Sequence, residues 1–317
     1  MKEIGGYFQL DNYFGKEYYP DSVALNCGRN SAVFLIQLRG YSKVYIPDFM
    51  CSSLKNALEK FGIDYSYYSV NENLEPIAEN NIADNEAVYI VNYYGQLRNK
   101  LSDYQKNWKN IIVDNAQDFF FCYKNADNIY TCRKYFGVAD GGYIVPCEKY
   151  SKEMYESLPV DKSYERVKFI LGRYECSAQE FYNDSKENNK LFANLPIMKM
   201  SELTHNMLRA LDYKKIARTR TENFSFLHNK LGSFNKLKNI TVPDGAFMYP
   251  FMTENGESLR KLLQQNKIFV PKLWPDVHKT HYSEFLSENI VPIPCDQRYS
   301  TDDMDYIIQK IKCHLQK

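Results

Sequence analysis

Short apolar runs alternate with stretches of helical period through the first half of the chain. Lys43-Val-Tyr-Ile-Pro47 predicts a strand. Leu54, Ala57, Leu58 and Phe61 then recur at helical spacing, so Ser52 to Phe61 predicts a helix, closed by Gly62 in the left-handed position past its end. Ile63 to Val70 alternates as a strand does. Ala87-Val-Tyr-Ile-Val91 and Ile111-Ile-Val113 are unbroken apolar runs between polar residues, the pattern of strands buried on both faces of a parallel sheet. The first half therefore predicts an α/β architecture. From Ser151 to Leu231 the pattern turns helical and charged, with Leu203, Met207, Leu208 and Leu211 on one face, predicting a long helical region that links two domains. Beyond it, Ile240-Thr-Val242, Ala246-Phe-Met-Tyr249, Lys267-Ile-Phe-Val270 and Ile290-Val-Pro-Ile293 predict short strands, and Glu257 to Gln265 and Thr301 to Leu315 predict helices. That mixture reads as a small α+β domain. The expected division is a large domain over 1–200 and a small one over 201–317. No repeat or flexible linker separates them.

Composition narrows the function classes. The 317 residues suffice for two domains at about 150 each, enough for a core and a cleft. Lys and Arg number 40 against 39 Asp and Glu, without long runs of one sign, which argues against nucleic acid or an anionic membrane as partner. The longest apolar runs, such as Ala32 to Leu38, fall far short of the ~20 residues of a membrane helix. The opening Met-Lys-Glu-Ile-Gly-Gly-Tyr-Phe lacks the apolar stretch of a secretory leader, so a cytoplasmic protein is expected. Eight cysteines without a CxxC pair, and five histidines without ligand spacing, suggest neither a zinc site nor a disulfide scaffold.

Three segments carry candidate chemistry. Asn26-Cys-Gly-Arg-Asn-Ser-Ala32 enters the apolar helix Val33 to Leu38, and small residues there leave backbone N–H groups and the positive dipole end open to a phosphate. The same composition also serves ordinary helix capping. In Ile111-Ile-Val-Asp114-Asn-Ala-Gln117 a carboxylate ends a buried parallel strand, where open α/β sheets bind ligands. Asp114 either caps the next helix or serves a ligand that needs an anion in a dry place, such as a pyridinium nitrogen. The third segment is Thr131-Cys-Arg-Lys134-Tyr-Phe-Gly-Val-Ala-Asp140-Gly-Gly142-Tyr-Ile-Val145, a lysine ahead of a glycine turn and a strand. Alone, such a lysine is a solvated surface residue.

In order and approximate spacing these segments resemble the DegT-type (DegT/DnrJ/StrS) sugar aminotransferases, pyridoxal-phosphate enzymes of fold type I, over most of the chain. Val91-Asn-Tyr-Tyr-Gly95 is similar to the family's His-x-Tyr-Gly turn, Met200-Ser-Glu-Leu203 to its Met-x-Glu-Leu segment, and Val291-Pro-Ile-Pro294 to its C-terminal strand. The resemblance implies a large domain with a mainly parallel sheet between helices, plus a small C-terminal α+β domain. It implies pyridoxal 5'-phosphate as cofactor. Gly28, Asn30 and Ser31 would hold its phosphate, with a hydroxyl added by Thr131. Asp114 would pair with the ring nitrogen, Gln117 would lie near the ring hydroxyl, and Lys134, buried beside the ring, would be the Schiff-base lysine and proton shuttle.

The implied reaction moves an amino group from glutamate to a keto group of a nucleotide-linked sugar, in surface polysaccharide or secondary metabolite biosynthesis, by a homodimer. Two departures bear on this. Pro47-Asp-Phe-Met-Cys51 puts Cys51 where relatives carry the ring-stacking aromatic residue, with Phe49 or Tyr94 as substitutes. Leu195-Pro-Ile-Met-Lys199-Met200 lacks the Asn of the family's cross-subunit segment and has Lys for its Arg, so Lys199 is either a cross-subunit phosphate contact or a solvated lysine. The alternatives are a smaller non-sugar carbonyl acceptor, or a non-catalytic member acting as a binding or regulatory subunit. Gly5-Gly6-Tyr7-Phe8 is expected to pack as a terminal strand rather than enter the cleft.

Overall fold

The apolar runs at 87–91 and 111–113 lie side by side at the middle of a sheet, as two-faced burial requires. The computed structural model describes residues 4–79, 81–278 and 280–316. Met1, Lys2 and Glu3, at the start of the segment read for a leader, lie outside the described residues.

The sheet comprises β1 (Val23–Leu25), β2 (Lys43–Pro47), β3 (Asp64–Val70), β4 (Pro76–Ile77), β5 (Glu86–Val91), β6 (Ile111–Asp114), β7 (Asp127–Thr131) and β8 (Gly142–Val145), in the spatial order β1-β8-β7-β6-β5-β2-β3-β4. From β7 through β6, β5 and β2 to β3 the pairing is parallel. Strand β8 runs antiparallel between β7 and β1, and β4 antiparallel on β3. The carboxyl ends of β2, β5, β6 and β7 therefore emerge along one edge, where the chain continues into Asp48–Cys51, Asn92–Gly95, Asn115–Gln117 and Cys132–Lys134. Parallel sheets bind ligands at this edge. The helix Gly28–Arg39 lies against the sheet with Asn30 to Ile36 all buried, and ends at Gly40 with φ 67°. The helix Ser52–Lys60 and Gly62, at φ 66°, follow the sequence reading closely.

Elsewhere the pattern misleads. The region 151–231 is not one helical stretch: Glu153–Glu156, Lys168–Glu175, Tyr182–Leu191, Glu202–Arg209 and Tyr213–Leu231 are separate helices. The extended residues around Lys199 pair along the outer side of β1, where Asn26 N–H donates to Met198 O (2.9 Å) and Met200 N–H to Ala24 O (3.1 Å), covering a sheet edge. Towards the C-terminus β9 (Met248–Met252) and β10 (Ile290–Pro294) form a two-stranded antiparallel sheet.

The strand expected at 246–249 thus begins two residues later, and those expected at 240–242 and 267–270 do not form. Thr241 N–H donates to the Gln96 side chain instead of a ladder (2.8 Å). Lys267 has φ 60°, and Ile268 N–H returns to Leu263 O (2.9 Å) to close the helix Gly256–Gln265. A helix at His281–Asn289, opened by a Thr280–Ser283 capping box, was not expected. Gly5–Phe8 is not a packed strand, since Tyr7 and Phe8 are fully exposed. Among the described residues no helix is long and apolar enough to cross a membrane.

Two cores result. The helix Tyr213–Leu231 joins them: Ala217 belongs to the large core, and Phe224, Leu227 and Leu231 to the small one.

Candidate active site

Asp114 ends β6 on the ligand-binding edge. Its Oδ1 accepts from Ala116 N–H (2.8 Å) and its Oδ2 from the Tyr89 hydroxyl (2.9 Å). Burial pushes its carboxyl above the usual range, opposed by the Lys134 ammonium and by these two donors. The carboxyl thus sits in a dry place with a cation nearby. Gln117 is 1% exposed, and its Oε1 accepts from Tyr94 N–H (2.9 Å). Its Nε2 is buried with no hydrogen-bond partner in the protein. Buried amide donors are rarely left so, and this one lies one turn beyond Asp114. Tyr94 meets Gln117 by adopting φ 52°, and Gly95, at φ 75°, has Pro243 where a side chain would begin. The Asn92–Gly95 turn singled out in the sequence therefore orients Gln117. Asn92 in turn donates to the buried carboxylate of Asp118 (2.8 Å), which Arg98 grips from the other side.

The N-terminus of the helix Gly28–Arg39 is open. Its cap position is Cys27, without a side-chain hydrogen bond, and no acidic residue lies in its first turn. The first helical bond is Ser31 N–H to Cys27 O (2.9 Å), so the N–H groups of Gly28, Arg29 and Asn30 have no carbonyl partner within the helix. Thr131 closes one side: its Cβ lies 3.4 Å from where a Gly28 Cβ would sit. Gly142 closes another, since a side chain there would meet Cys27 and Gly28 backbone at 2.7 and 2.8 Å. The side chains of Asn30 and Ser31, both named from the sequence, turn inward. Asn30 Nδ2 donates to Asn26 Oδ1 and Pro196 O (2.9 Å each), and the Ser31 hydroxyl to Cys27 O (3.1 Å). What this helix offers an anion is therefore backbone N–H, with Arg29 in its first turn.

Lys134 closes a short 3-10 turn, Cys132–Lys134, that follows β7. It is exposed, not buried as the resemblance implied, and its Nζ lies 5.6 Å from the centre of the Phe247 ring. It lines a cavity of about 670 Å³ that also takes in Arg220, Phe247 and Gln297. The charged lining residues are Arg133, Lys134, Arg173, Arg220, Arg298 and Asp296, and Arg298 already engages Asp296 at 2.7 and 2.9 Å. Tyr135, Phe169, Tyr174, Phe181 and Phe247 add aromatic surface. The cavity is thus strongly cationic and aromatic.

Asp140, in the glycine turn after Lys134, serves the framework. Fully buried, it accepts from Ser201 N–H (2.8 Å), the Ser201 hydroxyl (2.8 Å) and the Thr204 hydroxyl, holding the start of the helix Glu202–Arg209. The Asp140-Gly-Gly and Met200-Ser-Glu-Leu segments, separate in sequence, are one contact in space.

Cys51 caps the helix Ser52–Lys60 by position, partly exposed, with its Sγ 2.8 Å from Ser53 Oγ. Phe49 is not free to replace a stacking residue, since it packs on Tyr93 (5.3 Å) and edge-on to Trp274 (4.7 Å). Lys199 Nζ donates to Glu156 O (2.8 Å), so within this chain its ammonium is committed. Sequence reading missed Tyr89, Arg133, Arg220 and Gln297. Only Tyr89 left a trace, as a polar-tipped residue in an apolar strand.

No protein-family model and no curated protein matches the sequence. Among solved structures, the chain is similar to the sugar aminotransferase CalS13 of Micromonospora echinospora, at 14% identity over 93% of this chain and 87% of that one, TM-score 0.63. It is similar to a DegT DnrJ EryC1 StrS aminotransferase of Brucella abortus, at 15% identity over 92% and 85%, TM-score 0.62. It is also similar to the GDP-4-keto-6-deoxy-D-mannose-3-dehydratase of E. coli, solved with bound hydrated PLP, at 13% identity over 91% and 87%, TM-score 0.64. The chain therefore has the mixed α/β fold of the pyridoxal-phosphate-dependent sugar aminotransferases.

Proposed function

We propose that the protein is a pyridoxal-phosphate-dependent aminotransferase that moves an amino group from glutamate to a keto group of a nucleotide-linked sugar, working as a cytoplasmic homodimer. The observation that carries the reading is the unpartnered, buried Gln117 Nε2, three residues beyond the Asp114 carboxylate and on the same sheet edge as the N-terminus of Gly28–Arg39 and Lys134. These residues fit the group: a donor for the ring hydroxyl, an anion for the ring nitrogen, N–H groups for the phosphate and an amine for the aldehyde. When bound, pyridoxal phosphate supplies an aldehyde for amine exchange and a ring that accepts an electron pair.

The protein's own residues do the rest. Asp114 holds a proton on the ring nitrogen, its charge favoured by the Tyr89 and Ala116 donors. Lys134 Nζ would hold the cofactor through its aldehyde and, when free, would serve as the base that carries a proton. The N–H groups at the start of Gly28–Arg39, with Arg29 in the first turn and the Thr131 hydroxyl alongside, would anchor the phosphate. The arginine-lined cavity supports an anionic acceptor such as a sugar diphosphonucleoside, whose planar base the aromatic walls suit.

Absorbance spectroscopy of the purified protein with added pyridoxal phosphate tests this. A band near ~420 nm, absent in Lys134→Ala and bleached by glutamate, is the expected outcome. A wild-type protein that gives no lysine-dependent band overturns the reading. It would favour instead a binding subunit without turnover, for which the thiol of Cys51 at the ring-stacking position is the supporting observation.

A further inference from the structure

The backbone one residue past Lys134 is gripped by two side chains distant in sequence. The carbonyl of Tyr135, the next residue, accepts from Gln297 Nε2 (2.9 Å) and from Arg220 Nη2 (3.3 Å). Arg220 is 2% exposed on the helix Tyr213–Leu231, at the point where that helix passes from one core to the other. Its Nε donates to Gln297 Oε1 (2.6 Å), its Nη1 to the carbonyls of Ala246 (2.9 Å) and Phe247 (3.3 Å), and its guanidinium lies 4.5 Å from the centre of the Tyr135 ring. No carboxylate bonds to it among the described residues, and the neighbouring Asp296 is taken by Arg298.

A buried cation held only by neutral oxygens is an expensive way to join two domains, because apolar residues of similar volume would do so at lower cost. Its acceptors explain it. Arg220 and Gln297 fix the Tyr135 carbonyl, and Arg220 also fixes the backbone of Phe247, whose ring lies by the Lys134 ammonium. Lys134 itself makes no hydrogen bond within the described residues, so its backbone and that ring are what aim it.

We propose that Arg220 and Gln297 are positioning residues that set the pose from which Lys134 captures the cofactor aldehyde. The proposal rests on Lys134 being that lysine. Pre-set geometry of this kind is worth an order of magnitude or more when lost.

The test compares, in the full chain, affinity for pyridoxal 5'-phosphate with affinity for pyridoxamine 5'-phosphate, which shares the ring and phosphate but has no aldehyde for Lys134 to capture. In Gln297→Ala the preference for the aldehyde falls about tenfold while amine-form affinity stays at the wild-type value, and the band near ~420 nm weakens in step. Arg220→Lys, which keeps the charge and fewer donors, falls further. If Arg220→Lys fails to fold by circular dichroism, Gln297→Ala decides alone. An unchanged preference, or an equal loss for both forms, overturns the positioning role. A wild-type protein without a Lys134-dependent band overturns instead the reading of Lys134, and the two failures are distinguishable.

Discussion

Two helix N-termini flank the loop that carries Lys134, and they are finished differently. At the helix Glu202–Arg209, Ser201 caps the first turn and the Asp140 carboxylate receives the N–H and hydroxyl of Ser201 and the hydroxyl of Thr204. At the helix Gly28–Arg39, the cap residue is a cysteine with no capping bond, the first turn has no acid, and it carries a cation, Arg29. A positive side chain in a first turn opposes the helix dipole unless an anion comes to it. The first end is finished by the fold. The second is left for a ligand.

Substitutions at the two ends should therefore part company. Asp140→Ala strands the Ser201 and Thr204 donors in the core, so its unfolding free energy drops by about 3 kcal/mol or more in urea titration. A loss below about 1 kcal/mol would mean the two ends are not so different. Arg29→Ala has the opposite profile. Calorimetry should show pyridoxamine phosphate binding weakened about tenfold, with stability equal to wild type or a few tenths of a kcal/mol higher, because a cation leaves the positive end of the helix.

The smallest effect sharpens the contrast between the two carboxylates. Asp114 is set above its usual pKa by burial, with Lys134 and two donors opposing, so its ionised form weakens the folded chain at any pH above the unfolded value. Asp114→Asn should then melt higher than wild type at pH 7 without cofactor, with the gain closing as pH falls toward ~4, where the unfolded Asp protonates. The same variant binds the ring more weakly. A melting difference that does not change between pH 7 and pH 4 would show that Asp114 imposes no such strain.

How far these features could be read in advance depended on sequence distance. Asp114 and Gln117 were legible because an apolar run buried on both faces announces a parallel strand, and its end is where ligands sit. The phase of Gly28–Arg39 was not, because consecutive residues from Asn30 to Ile36 are all buried, leaving no polar face to show that Asn30 and Ser31 point inward. Lys267 to Val270 looked like a strand, and only the left-handed turn at Lys267, with Ile268 N–H returning to Leu263 O, shows that the chain there closes a helix instead. Asp140 finds Ser201 61 positions away, and Tyr135 finds Gln297 162 positions away. No local pattern carries pairings of that span.

The helix Tyr213–Leu231 has a consequence for how the chain comes apart. Because Ala217 is embedded in one core and Phe224, Leu227 and Leu231 in the other, neither core can lose its packing without exposing part of an element the other needs. The two layers are thus geared to one cooperative unit, and near- and far-ultraviolet circular dichroism should trace a single coincident melting curve.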